Sequence, residues 1–174
     1  MSWREVVLRA GEVEVRPSRV EDGGEIGTSP ADPVTGRYFG RALAGPPMDT
    51  VDPDAPSFTI CRAGEPVGRI WFRPGVRPFE VGYYVRTDQW GRGIASTALT
   101  LVADWMLESN RADSIVLFTH PENVASQHVA LKAGFHRDGI EPAYAEFKDG
   151  TEDAIRFVRA VQRKRHGFVP HGAG

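Results

Sequence analysis

A single cysteine, Cys61, stands in the 174 residues. The chain by itself can therefore close no internal disulfide and build no thiolate metal cluster. Cys61 lies in the strand-like run Phe58-Thr59-Ile60-Cys61, where a small core or edge residue is expected rather than a nucleophile. No unbroken apolar run is long enough to span a bilayer, and Met1-Ser2-Trp3-Arg4-Glu5 lacks the basic-then-apolar order of a signal peptide. A cytoplasmic protein without a membrane partner is expected. Charge of one sign is also scarce: the formal net charge is −2, which supplies no basic field for nucleic acid. Internal repeats are absent. With 41% hydrophobic and 25% charged residues, the composition suits one core and one domain over residues 1–165, followed by a tail at 166–174. Frayed chain is expected after Val161, where Arg163-Lys164-Arg165-His166 is read as solvated, with a grip on a phosphate as the alternative.

The alternation of Glu12-Val13-Glu14-Val15-Arg16 after Val6-Val7-Leu8 predicts an opening strand pair. Residues 17–56 are rich in Pro, Gly and Asp, which leaves room for one or two short helices among loops and for a wall over a substrate site, or for a mere connector. Phe58 to Cys61, Val67 to Phe72 and Phe79 to Val85 predict three strands in an antiparallel meander. Ala95, Ala98, Leu99, Val102, Trp105 and Met106 recur at helical spacing. Ser114 to Phe118 then reads as a buried strand, and strand, helix, strand implies parallel pairing. Pro121 and Asn123 open a second helix ending at Ala133, with Gly134 at the left-handed cap position. A closing strand pair is expected from Phe135 to Ile140 and Ala154 to Val161.

Between the strand ending at Val85 and the first long helix lies Trp90-Gly91-Arg92-Gly93-Ile94-Ala95. Glycines let a backbone approach a ligand closely, and the first N–H groups of a helix, with its dipole, favour an anion there. A pyrophosphate fits, although a tight turn that merely starts a helix is the alternative. The third glycine of a dinucleotide fingerprint is missing, as is the Gly-Lys-Ser/Thr ending of a nucleoside-triphosphate loop.

The loop resembles motif A of the GNAT acetyltransferase superfamily, Gln/Arg-x-x-Gly-x-Gly/Ala. Trp90 departs from the general pattern and is similar to the branch that acetylates ribosomal-protein N-termini (RimJ/RimL-like). The resemblance continues through Glu80-Val81-Gly82-Tyr83, Asn123-x-x-Ser126 and Lys132-Ala133-Gly134-Phe135 to Asp153, about half the chain. It implies the GNAT fold: α/β, a mixed, mostly antiparallel, splayed sheet with helices on both faces and coenzyme A between the family's fourth and fifth strands. It further implies that the main chain of Tyr83, Tyr84 and Val85 pairs with the pantetheine amides, Tyr84 and Val85 foremost. Trp90, Gly91, Arg92, Gly93, Ile94, Ala95 and Ser96 form the pyrophosphate loop, with Arg92 adding a charged contact. Asn123 reaches the coenzyme as well as capping its helix.

Acetylating an amine requires removing a proton from an ammonium, polarising the thioester and stabilising a thiolate. Glu80, five residues before Val85, is the candidate base, directly or through water; an exposed strand carboxylate is the alternative. Many family members carry a tyrosine seven residues after the motif asparagine, but Ala130 stands there. Ser126, one helical turn from Asn123, is the remaining hydroxyl for the sulfur. His120 and His128 are read as a strand-end turn and a solvated helix face, with proton shuttling as the alternative. Tyr144 and Glu146 are candidates for the acceptor side. The resemblance thus implies an N-acetyltransferase that moves acetyl from acetyl-CoA, its cosubstrate, to a primary amine in a ternary complex. No metal is required, and the amine is a peptide N-terminus or a small molecule. A non-catalytic coenzyme-A-binding regulator on the same fold is the rival. A monomer or a homodimer suits either.

Overall fold

The computed structural model describes residues 2–26, 56–73, 75–147 and 150–161. Of the expected wall over residues 17–56, residues 27–55 lie outside these, as do the basic tail and the side chain of Glu146. The chain opens not with a strand but with a 3-10 turn, Trp3–Glu5, capped by Ser2, whose hydroxyl accepts from the Arg4 amide. Strands β1 (Leu8–Ala10) and β2 (Val13–Pro17) follow, then helix α1 (Asp22–Ile26). The predicted meander is present as β3 (Ser57–Arg62), β4 (Glu65–Phe72) and β5 (Phe79–Val85). After it come α2 (Ile94–Glu108), β6 (Ser114–Thr119) and α3 (Val124–Lys132). The last pair, β7 (His136–Phe147) and β8 (Gly150–Ala160), is longer than the apolar residues alone suggest. Its outer part is held by antiparallel backbone bonds through Glu141↔Ala154 and Ala145↔Glu152, which need no apolar face.

All eight strands form one sheet in the order β1-β2-β3-β4-β5-β6-β8-β7. Every pairing is antiparallel except β5 with β6, which is parallel, as the intervening α2 requires. Side chains alternate between the two faces of a strand. On one face Val15, Phe58, Ile60, Ile70, Phe72 and Val81 join Leu99, Val102 and Met106 of α2 in the main core. Phe58 meets Trp3 and Trp105 edge to face, with ring centroids 6.1 and 5.7 Å away. On the other face Trp71 and Tyr84 pack with Ile26 of α1, so helices cover both sides. Cys61 is buried here, and burial pushes its thiol pKa up, which fits a core residue.

The feature that positions the site is where the sheet stops pairing. Strands β5 and β6 are in register only at Phe79↔Ile115 and Glu80↔Val116. From Val81 onward the two strands diverge, and the gap runs toward the start of α2.

Candidate active site

A cleft of about 620 Å³ occupies this gap, lined by β5, the loop to α2, the end of β6 and the first turns of α3. Glu80, Tyr83, Tyr84, Val85, Trp90 to Ser96, Asn123 and Ser126 all line it, so thirteen sequence-predicted positions converge on one cavity.

The floor is β5. The Arg73 amide bonds the Glu80 carbonyl and the Arg86 amide bonds the Val67 carbonyl, so by alternation Glu80, Gly82, Tyr84 and Arg86 turn their main-chain groups toward β4. Tyr83 and Val85 therefore present theirs to the cleft. Of the three residues expected to offer their main chain, Tyr84 thus turns its groups toward β4, while Tyr83 and Val85 turn theirs toward the cleft. The Tyr84 side chain packs beside Trp71 on the opposite face. The Val85 carbonyl already accepts the Trp90 indole N–H at 2.7 Å. The departure at Trp90 thus has a structural use: it ties the loop back to the end of β5.

The loop turns on Gly91 and Gly93, both at φ +74°, a region that L side chains occupy at a penalty. Gly93 is the N-cap of α2, and its carbonyl accepts the first intrahelical bond from Thr97. The N–H groups of Ile94, Ala95 and Ser96 precede any intrahelical acceptor, and no acidic residue sits in the first turn to compete for them. Ile94 buries its side chain in the core, so its contribution is its main chain. Arg92 is exposed beside the loop.

Opposite, Asn123 caps α3 by accepting the Ser126 amide at 3.0 Å. The Ser126 hydroxyl lies 2.8 Å from that of Tyr83, across the cleft from helix to strand. Burial raises the Tyr83 phenol pKa, and the Ser126 bond offsets part of that rise. Thr119, buried at the end of β6, lines the same space, and its hydroxyl has no partner among the described residues. Ala130 is fully buried in the core, so a phenol at that position would overpack rather than enter the cleft.

Glu80 is not an exposed strand carboxylate. Only 7% exposed, it pairs with Arg73 at 3.2 Å. The Arg73 guanidinium lies over the Tyr144 ring, which stacks on Phe118 at 4.0 Å. The Tyr144 hydroxyl is buried without a hydrogen-bond partner among the described residues. Its pKa is raised by burial first and by the neighbouring Glu80 carboxylate second. Sequence reasoning missed Arg73 and Trp71; Trp71 stands on β4 opposite Gly82, and Arg73, just past the end of β4, donates its amide to the Glu80 carbonyl, so their shared odd parity was the available signal. A Cβ on Gly82 would meet the Trp71 indole at 2.5 Å, so a glycine is needed beside Glu80. His120 bonds Glu152, and its Nδ1 accepts the Glu122 amide, a partnered strand-end turn. His128 is exposed.

Because Glu80 and Tyr83 differ by three positions on one strand, they face opposite sides of the sheet. Glu80 belongs with Trp71 and Arg73, whereas Tyr83 and Ser126 belong with the side carrying α2 and α3. The gap between β5 and β6 connects the two. Among the described residues no group of three or more His, Cys, Asp or Glu could hold a metal ion, and no helix is long and apolar enough to cross a membrane.

Residues 26–136 match the profile of an acetyltransferase (GNAT) domain. A probable N-acetyltransferase of Bacillus subtilis is 35% identical over 73 residues, 42% of this chain and 40% of that one. The ribosomal-protein-serine acetyltransferase of Escherichia coli is 27% identical over 110 residues, 62% of each chain. The chain thus matches less than two thirds of the length of either relative. RimJ of Mycobacterium smegmatis, solved in complex with CoA-disulfide, superposes with a TM-score of 0.73 over 91% of this chain and 88% of that one, at 22% identity.

Proposed function

The chain belongs to the GNAT acetyltransferase family, and on that footing we propose that it is an N-acetyltransferase moving acetyl from acetyl-CoA to a primary amine, either a peptide N-terminus or a small molecule. The observation that carries this is the placing of Glu80 and Ser126 on opposite sides of one opening, with free backbone groups and a helix N-terminus along the same cleft. A direct transfer needs that separation: a base where the amine arrives, a hydrogen-bond donor where sulfur leaves, and the carbonyl between them.

The residues present suit coenzyme A. Tyr83 N–H and C=O and Val85 N–H can bond the pantetheine amides as an added strand would, and the orphaned Thr119 hydroxyl faces the same space. The N–H groups at the start of α2, with Arg92, suit the pyrophosphate. Asn123 borders the space between. Acetyl-CoA supplies the activated acyl group. Glu80, held by Arg73, takes the ammonium proton directly or through water. The nitrogen attacks the thioester carbonyl and the C–N bond forms; the nitrogen then gives up its second proton to water, and the C–S bond breaks with its electron pair left on sulfur. Ser126 donates a hydrogen bond to that sulfur, and water supplies the proton that neutralises it.

Two relatives are acetyltransferases by name, one of them of a ribosomal protein, which supports a protein N-terminus as the acceptor to test first. A cytoplasmic location suits such a substrate and the unpaired Cys61. Incubation with acetyl-CoA and a panel of N-terminal peptides and small amines, read out as released thiol, tests the reading. Turnover of at least one amine is expected. Coenzyme binding without turnover of any amine would make the chain a non-catalytic binding module.

A further inference from the structure

We propose that Tyr83 is a positioning residue for the leaving sulfur: its phenol donates to the Ser126 oxygen and thereby leaves the Ser126 proton free to point into the cleft. This rests on Ser126 meeting the sulfur, as proposed for the reaction, and it accounts for how a serine can serve where no tyrosine stands further along the helix.

A serine hydroxyl rotates about its C–O bond and carries one proton with two acceptor sites. Unless something accepts or blocks the alternatives, that proton is shared among competing acceptors, and the hydroxyl at a helix start commonly turns back to the helix. Ser96 does so on α2, where its hydroxyl donates to the Gly93 carbonyl. Ser126 does not: its hydroxyl lies 2.8 Å from the Tyr83 phenol, and its own amide is already taken by Asn123.

Of the two hydroxyls, the phenol is the stronger acid and so the better donor. Tyr83 has no other side-chain hydrogen bond among the described residues, and burial keeps it protonated by disfavouring phenolate. With Tyr83 donating, the Ser126 oxygen is occupied as acceptor and polarised, and its O–H becomes a better donor. Ser126 lines the cleft and retains some exposure, while Ala130 is sealed in the core. The hydroxyl that the helix does not offer at position 130 is thus supplied from β5, indirectly. No bond to Tyr83 or Ser126 breaks: both keep their protons, the electron pair of the C–S bond stays on sulfur, and water later protonates it.

The test is a double-mutant cycle with two readouts: kcat with the best amine, and the thiol pKa of bound coenzyme A, tracked by thiolate absorbance in a pH titration. Tyr83→Phe is expected to lower kcat roughly three- to tenfold, the range one neutral hydrogen bond supports. Its affinity for coenzyme A should stay within about twofold, since binding precedes the developing charge. The bound thiol pKa should rise by about half a unit to one unit for the same loss of thiolate stabilisation. In the Ser126→Ala background, Tyr83→Phe should change neither quantity further. Equal losses in both backgrounds, or weakened coenzyme binding with a lowered Tm, would make Tyr83 a packing residue and overturn the inference. If Ser126→Ala slows turnover and Tyr83→Phe does not, this inference alone falls. If Ser126→Ala leaves kcat and thiol pKa unchanged, the sulfur-side role of Ser126 falls with it.

Discussion

At the scale of single residues, the two proposed catalytic groups separate by what their loss should change. Glu80→Gln keeps shape and removes the carboxylate, so coenzyme binding should persist while kcat falls about 10²- to 10⁴-fold at neutral pH, the range for losing a general base. Raising the pH should recover part of the rate, because more of the amine is then neutral; unchanged turnover would move the base elsewhere. Ser126→Ala removes a hydrogen bond to a developing charge, worth about 1.5–3 kcal/mol, so kcat should fall roughly ten- to hundredfold with little change in affinity for acetyl-CoA. A hydroxyl that merely decorates the helix would instead leave kcat normal. Both positions were named from spacing read within the family resemblance, Glu80 by its distance to the loop and Ser126 by its distance to Asn123, and both line the cleft. The partners that define them were not named. Arg73 and Tyr83 act through contacts across the sheet and the cleft, and local spacing carries no record of those.

Elements carry the next level of argument. The start of α2 depends on Gly93, at φ +74°, where an added Cβ would find no protein atom nearer than 4.0 Å. Gly93→Val should therefore destabilise the ligand-free protein through backbone strain, by about 1–2 kcal/mol, and also abolish the stabilisation by acetyl-CoA, since the side chain projects where the anion would approach. Thermal melts with and without ligand measure both; an undiminished ligand shift would reduce the loop to a turn. On the other face, α1 is anchored by Asp22, whose carboxylate accepts from Arg16 at 2.6 and 2.9 Å, from Thr59 at 2.6 Å and from the Arg19 amide at 2.8 Å. Burial alone would raise its pKa; the hydrogen bonds from Arg16, Thr59 and the Arg19 amide more than offset that, and the pKa is lowered on balance. A depressed carboxylate stabilises the fold fully above its unfolded value, about 3.9, and that contribution is lost as pH falls through the lower folded value. Asp22→Ala should cost about 3–5 kcal/mol at neutral pH, the range for stranding one partner of a buried pair. Its difference from wild type in denaturant midpoint should shrink below about pH 4; a constant difference would mean that Asp22 acts by packing. The start of α2 and both ends of α3 were readable because glycine and asparagine caps are local chemistry. The Asp22 anchor was not, because it joins residues 16, 22 and 59 from three elements.

For the whole molecule, the opening between β5 and β6 makes a thermodynamic claim. A ligand that binds only the folded state stabilises it by RT ln(1 + [L]/Kd), about 2.7 kcal/mol at a hundredfold excess over Kd. Acetyl-CoA should accordingly raise Tm, and no shift at millimolar ligand would count against the reading of the cleft. By itself the sequence determined the order of the main strands and helices, the turn at Gly91 and Gly93 and the parallel step across α2, because alternation, helical spacing and caps are local rules; the residues that line the cleft were named from the family resemblance. Only the tertiary structure decided that pairing of β5 with β6 ends after Glu80↔Val116, that Tyr83 rather than Tyr84 turns its main chain to the gap, and that Ala130 is sealed while Tyr83 reaches Ser126. Each of these depends on which edge of a strand finds a partner and on how closely a helix packs over it, and those are settled by contacts between segments far apart in the chain.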